Sequence, residues 1–196
     1  TGSNHVASDG KISGKGGSST GSANTAIDTG QLGGMYGSSI RLISTDQGVG
    51  VNHAGAVQAQ QLQISADGKL INRGSIDSDQ LELDAHSLDN HGRISQGSGT
   101  LQVSAKTLDN AGSIRRNHVP ENPKAQTGND TAGTKTTAKS RGKDGHIHLK
   151  EGLDNRGQIS SGSELHLQVA ENLNNRGQLY VGALQVKDGE THNSGR

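Results

Sequence analysis

The chain has 196 residues, with 30 glycines, two tyrosines and no phenylalanine, tryptophan or cysteine. Its 19 Lys and Arg residues balance 19 Asp and Glu residues, so the net charge of zero gives no reason to expect nucleic acid or an anionic membrane as a partner. The absence of cysteine excludes disulfides and thiolate metal sites, and a core with almost no aromatic bulk must be built from Leu, Ile, Val and Ala in thin layers.

The chain divides into three predicted regions. Residues 1–30 are rich in Gly, Ser, Thr and Asn and are predicted to be an N-terminal segment that is partly β. Residues 31–69 are predicted to be junction coils with strands at 40–43 and 49–51, and residues 70–196 to be a regular repeat. The junction glycines, which we expect at turns or close backbone approaches, are Gly33, Gly34, Gly48 and Gly50.

A phrase of the form Leu-x-Asn-x-Gly recurs along the regular part. The five phrases begin at Leu70, Leu88, Leu108, Leu153 and Leu173. Their glycines are separated by 18, 20, 45 and 20 residues. A nearly constant period with one long exception indicates stacked repeats, one of which carries an insertion.

Strict alternation of apolar and polar residues predicts a strand in each repeat, as in Leu101–Ala105 and again at 165–169, and each repeat is predicted to consist of short strands joined by tight turns. The Asn-x-Gly element predicts a turn in which glycine tolerates positive φ and the asparagines stack into a hydrogen-bonded ladder. The predicted turn and ladder residues are Asn72, Asn90, Asn110, Asn155 and Asn175 with Gly74, Gly92, Gly112, Gly157 and Gly177. The predicted fold is therefore all-β, a right-handed parallel β-helix with coils of about 20 residues, the hand following the general rule for parallel crossovers.

The long interval predicts a loop outside the helix at about residues 115–144. The step from Ile94 to Leu101 is seven positions, whereas the equivalent step from Ile114 to Ile147 is 33 positions. The loop region holds seven Lys or Arg against three Asp or Glu, so it is either a solvated spacer or a contact site for an acidic partner. The candidate contact residues are Arg115, Arg116, Lys124, Lys135, Lys139, Arg141 and Lys143.

No set of catalytic residues stands out, and we expect no enzymatic activity and no cofactor. There is no GxSxG elbow and no phosphate-binding GxxxxGK[ST] loop. Glu82, Asp84 and His86 alternate on an outer face, which is either a charged solvent face or the lining of a polysaccharide-cleaving groove. His146 and His166 are expected side by side on neighbouring coils, but no third ligand is assigned to them, so no metal site is predicted.

Two kinds of sequence resemble the filamentous haemagglutinin-type exoproteins of two-partner secretion systems. The repeats LDNHGRISQGSGTLQVSAKTLDNAGSI and LDNRGQISSGSELHLQVAENLNNRGQL resemble the shaft repeats of that family. The stretch AIDTGQLGGMYGSSIRLISTDQGVGVNHAG resembles the segment that joins the secretion domain to the shaft. The family includes large adhesins and contact-dependent growth-inhibition effectors.

The resemblance implies a protein that is secreted to, and displayed on, the surface of a Gram-negative bacterium. It implies an outer-membrane two-partner transporter and a receptor or glycan on a host or neighbouring cell as partners, while the balanced charge predicts no nucleic-acid partner. The interpretation is a structural or adhesive shaft segment, expected to be an internal piece of a longer protein. The alternatives are a receptor- or glycan-binding module that uses the basic loop and, third, a polysaccharide-active β-helix enzyme. The end turns of a solenoid expose strand edges, so end-to-end self-association of the segment is also expected.

Overall fold

The computed structural model describes residues 25–30, 33–46, 48–116 and 145–196. All regular elements of this described part are β-strands. None of them is a helix of the length and apolar character needed to cross a membrane. The strands are β1 Thr25–Thr29, β2 Gly34–Ser44, β3 Gly50–His53, β4 Ala56–Asn72, β5 Ser75–Asn90, β6 Arg93–Gln96, β7 Leu101–Ala105, β8 Thr107–Asn110, β9 Ser113–Arg116, β10 Gly145–Leu149, β11 Leu153–Asn155, β12 Gln158–Ser161, β13 Leu165–Val169, β14 Leu173–Asn175, β15 Gln178–Tyr180, β16 Ala183–Val186 and β17 Thr191–Asn193.

The strands pair in parallel with strands of the turns before and after them. Strand β10, for example, lies between β7 and β13, and β11 lies between β8 and β14. The result is a β-solenoid of about seven turns, which confirms the predicted all-β parallel coil.

Each regular turn contributes a strand to three faces. The isoleucine face is built from β6, β9, β12 and β15, the alternating face from β7, β10, β13 and β16, and the asparagine face from β8, β11, β14 and β17. Strand β5 passes through all three faces without a break, because residues 75–78 pair with β6, residues 81–84 with β7 and residues 87–90 with β8. The expectation that every turn consists of short strands is therefore wrong for β4 and β5, which run for 17 and 16 residues.

The core is a set of aliphatic columns that run along the solenoid axis. In the asparagine face, Leu70, Leu88, Leu108, Leu153 and Leu173 are in register and at most 2% exposed. Matching columns on the other two faces include Ile76 and Leu83, which are in register with the buried Val57 and Ile64 of the turn before. Full burial of such a side chain contributes roughly 1.5–3 kcal/mol, and each layer is covered only by its neighbours, so stability depends on stacking.

The insertion leaves the solenoid at the corner between the isoleucine and alternating faces. Strand β9 ends at Arg116 and β10 begins at Gly145, and both continue the register of the turns on either side. Of the loop predicted at about residues 115–144, residues 115 and 116 belong to strand β9, and the rest lies outside the described residues. The strands on either side of the insertion thus keep the register that they would have if a short turn joined them.

Candidate functional site

The asparagine ladder runs through the interior of the solenoid beside the asparagine face. Consecutive hydrogen bonds from Nδ2 to Oδ1, at 2.8, 2.8, 2.7, 2.7 and 2.8 Å, join Asn72, Asn90, Asn110, Asn155, Asn175 and Asn193. The first five side chains are at most 1% exposed. The ladder crosses the insertion without a break, because Asn110 donates directly to Asn155 although 45 residues separate them. The structure thus brings together the five asparagines named from sequence and adds a sixth at the last turn.

The glycine that follows each ladder asparagine is required for close stacking of the corners. A Cβ placed on Gly112 would collide with the carbonyl oxygen of Gly92 one turn earlier, and the same holds for Gly157 above Gly112. Among the described glycines only Gly48 has a positive φ, at 73°. The sequence-based reason for these glycines, tolerance of positive φ, is therefore wrong, and the distance between successive backbones is the cause.

His53 occupies the ladder position one turn before the first asparagine. It pairs in register with Asn72. Its Nε2 donates to the carbonyl of Ser75 at 3.2 Å, so its Nδ1 accepts from the hydroxyl of Thr29 at 2.6 Å in the neutral ring. Burial lowers the pKa of His53 below its usual 6.5, although backbone hydrogen bonds oppose the shift. Sequence reasoning missed this residue, but the phrase Val-Asn-His-Ala-Gly that ends at Gly55 carries the signal, with His in place of Asn.

A second buried polar column lies at the corner where the insertion leaves. Ser78, Gln96 and Arg116 are in register on successive turns and are 6%, 0% and 2% exposed. Gln96 donates through Nε2 to the carbonyl of Asp79 at 2.7 Å, and its Oε1 accepts from Nε of Arg116 at 3.1 Å. These side chains satisfy backbone carbonyls of the corner, as the asparagines do at the other end of the isoleucine face.

Arg116 is therefore not a surface cation, and its assignment as a partner-contact residue is wrong. Its guanidinium donates to the hydroxyl of Ser163 at 2.7 Å and to the carbonyl of Glu164. Gly145 stands where neighbouring turns have a leucine, and a Cβ there would lie 2.9 Å from Cδ of Arg116. The aliphatic stem of Arg116 thus occupies core space that the missing leucine leaves open.

Of the other candidate contact residues, the structure places one. Arg115 is exposed on the isoleucine face, in register with Ser95 and Ser160. The remaining candidates lie outside the described residues: Lys124, Lys135, Lys139, Arg141 and Lys143.

The alternating face presents columns of polar side chains to solvent. His146 lies directly beside His166, with ring centroids 5.1 Å apart and ring planes 14° from parallel. Glu82, Asp84 and His86 are all exposed on the same side of the solenoid. In the part of the chain that the structure describes, no three His, Cys, Asp or Glu side chains gather where they could hold a metal ion.

Ion pairs on the outer surface connect neighbouring turns. Lys69 Nζ lies 2.9 Å from Asp89, and Arg156 lies 2.5 Å from Asp109. The hydrogen bond and charge of Asp109 raise the pKa of Arg156 above its usual value. Because these partners are substantially exposed, the pairs contribute little to stability.

The last turn leaves apolar side chains uncovered. A depression of about 630 Å³ is lined by Leu179, Leu184 and Tyr180, among others, and the last two are 45% and 51% exposed.

Comparison with known proteins finds partial relatives. The chain is 53% identical over 57 residues to the toxin CdiA of Yersinia pestis, covering 28% of this chain and 2% of the relative. It is 38% identical over 105 residues to the 16S rRNA endonuclease CdiA of Enterobacter cloacae subsp. cloacae, which covers 53% of this chain and 3% of the relative. It is 37% identical over 127 residues to the tRNA nuclease CdiA of Yersinia mollaretii, which covers 57% of this chain and 4% of the relative. No family model and no solved structure matches.

Proposed function

Because the homologues of this chain are CdiA proteins, contact-dependent inhibition exoproteins of the filamentous haemagglutinin type, and because the chain is a β-solenoid, we propose that it works as a shaft segment. In this role it gives length and stiffness to a secreted exoprotein and presents a regular outer surface during cell contact. The matches extend over only 2% to 4% of the length of these three relatives. A match to such a small fraction of a long protein is consistent with one segment of a repetitive structural region.

The observation that carries this proposal is the unbroken ladder. Hydrogen bonds between buried asparagines connect successive turns from Asn72 to Asn193, including the turn that bears the insertion. A ladder with one hydrogen bond between each pair of successive turns ties each turn to the next, which rigidifies the stack of repeats.

The proposal extends to location, partners and organisation. We place the exoprotein at the surface of a Gram-negative cell, exported by an outer-membrane two-partner transporter and directed at a receptor or glycan on a host or neighbouring cell. We keep the division into residues 1–30, 31–69 and 70–196 as part of the proposal. Two relatives are named as nucleases, and we assign any such activity to regions outside the stretch that this chain matches.

The test is to delete one turn in register. Removing residues 153–172 deletes 20 residues and joins Gly152 to Leu173, so the leucine, asparagine and isoleucine columns stay in register. We expect this variant to fold, by far-UV circular dichroism, and an exoprotein that carries it to inhibit target-cell growth as before. Removing residues 153–162 instead deletes half a turn, and we expect it to disrupt folding. Growth inhibition lost with the in-register deletion, while the protein is folded and displayed, would contradict a purely structural role.

The second candidate function is recognition by the basic insertion, favoured by the exposure of Arg115 where β9 approaches it. The labelled chain and a variant without residues 117–141 should be compared for binding to bacterial and animal cells. Saturable, salt-sensitive binding that is lost with the deletion would make the segment a recognition module. A shaft segment predicts no binding by either form.

A further inference from the structure

Three histidines share one patch of the alternating face, just after the insertion. His146 and His148 lie on β10, two residues apart, so their side chains leave the same side of the strand. His166 lies on β13 in direct register with His146. His146 and His148 are exposed and His166 is half-buried. The patch therefore offers three imidazoles on two adjacent, rigidly paired strands.

The rings of His146 and His166 are near enough to each other to share one metal ion after rotation. Their centroids are 5.1 Å apart with nearly parallel rings. Two imidazoles that bind one zinc ion at 2.0–2.1 Å in a tetrahedral arrangement place their nitrogens about 3.4 Å apart. A tilt of each ring about χ2, a broad torsion for histidine, would bring the nitrogens together without moving the strands.

His148 is oriented so that one of its ring nitrogens can bind the same ion. Its Nδ1 lies 2.8 Å from Oε1 of Gln168, and since an amide oxygen can only accept, Nδ1 carries the proton. The lone pair of Nε2 is then free. Metal-binding histidines usually donate their second ring nitrogen in this way to an oxygen that orients the ring. A groove of about 280 Å³ lined by the three histidines leaves room for the ion and its water.

We propose that His146, His166 and His148 form a surface site for a borderline divalent transition-metal ion such as Zn²⁺, Cu²⁺ or Ni²⁺. Imidazole ligands select these ions, whereas Ca²⁺ and Mg²⁺ require oxygen ligands. In the described residues the three rings do not yet converge on one point, so binding draws them together. The bound ion ties β10 to β13 and thereby fixes the first strand after the insertion to the following turn.

The test is a titration of the chain with ZnCl₂, followed by NMR of the histidine rings and by the melting temperature. We expect saturable shifts of the rings of His146, His148 and His166, no response to MgCl₂, and a rise in melting temperature that EDTA reverses. His166→Gln should abolish the rise, whereas Gln168→Ala should weaken binding roughly tenfold.

His192→Gln is the matched control, because this exposed histidine pairs in register with Asn174 rather than with another histidine. It should leave zinc binding unchanged. Rings of the patch that stay unmoved at millimolar zinc would overturn the proposal. A shift of the His192 ring at the same zinc concentrations would also overturn it, because it would show only the weak binding of any single imidazole.

Discussion

Replacing Asn110 with Ala tests whether the asparagine ladder stabilises the solenoid. The side chain is fully buried, and its bond to Asn155 joins the turns on either side of the insertion. Its Nδ2 donates to Oδ1 of Asn155 at 2.7 Å and to the carbonyl of Gln158 at 3.3 Å, and its Oδ1 accepts from Asn90 at 2.8 Å. Alanine removes the donor and the acceptor at once and leaves polar groups on both neighbouring turns without these partners.

The magnitude follows from the groups that are left unsatisfied. A buried polar group deprived of its partner costs about 1–3 kcal/mol, and Asn90 keeps a second bond to the carbonyl of Ser113. We therefore expect the free energy of unfolding to fall by about 2–4 kcal/mol in total. For a chain of this size each kcal/mol lowers the melting temperature by about 2–4 °C, so the expected fall is roughly 4–16 °C.

The assay is urea and thermal unfolding followed by far-UV circular dichroism, with Asn193→Ala as the control. Asn193 is exposed and accepts one ladder bond, from Asn175, so only one buried group loses its partner and the cost should be about 1 kcal/mol. If Asn110→Ala is no more destabilising than Asn193→Ala, the ladder does not stabilise the solenoid and the reasoning is refuted.

Three further predictions address the other internal contacts. Gly112→Ala should abolish or severely weaken folding, because its Cβ would meet a carbonyl of the previous turn, whereas Gly37→Ala, with its nearest neighbour at 3.6 Å, should fold normally by circular dichroism. Because burial lowers the pKa of His53 in the folded state, the free energy of unfolding should be highest above pH 6.5 and should fall as the pH drops from 6.5 towards the folded-state pKa. Urea unfolding at several pH values should show a smaller fall for His53→Asn. Arg116→Ala should lower the free energy of unfolding by about 2–4 kcal/mol through lost hydrogen bonds and packing, while Arg115→Ala should change it by less than about 0.5 kcal/mol. Equal effects at the two arginines in urea unfolding would contradict the buried position of Arg116.

The regular part of the fold could be predicted because its signals are local. The alternating residues predicted strands at Leu101–Ala105 and at 165–169, and the structure has β7 and β13 with these bounds. The aliphatic columns and the repeat period follow from the same pattern. The long strand β4 could not be predicted, because Asp67 and Gly68 suggest a turn although the backbone passes that corner within the strand.

The residues that sequence reasoning misjudged depend on distant neighbours. Arg116 was assigned to the surface by its charge, but the space that receives it exists only because Gly145 replaces a leucine on the far side of the insertion. His53 lacks the residue type that defined the ladder, and only its register with Asn72 reveals its place. In both cases the position of the side chain is determined by a contact between neighbouring turns, and a local sequence pattern contains no information about that contact.

The direct bond between Asn110 and Asn155 has a consequence for how such proteins diversify. Neighbouring turns bond to each other as if the stretch between Arg116 and Gly145 were absent. An insertion at the corner between β9 and β10 therefore leaves the packing of the other turns unchanged. Adding or removing a whole turn of about 20 residues would likewise preserve the register of the asparagine ladder. A protein of this design can therefore change its length or gain a new loop in a single step, without a compensating substitution elsewhere.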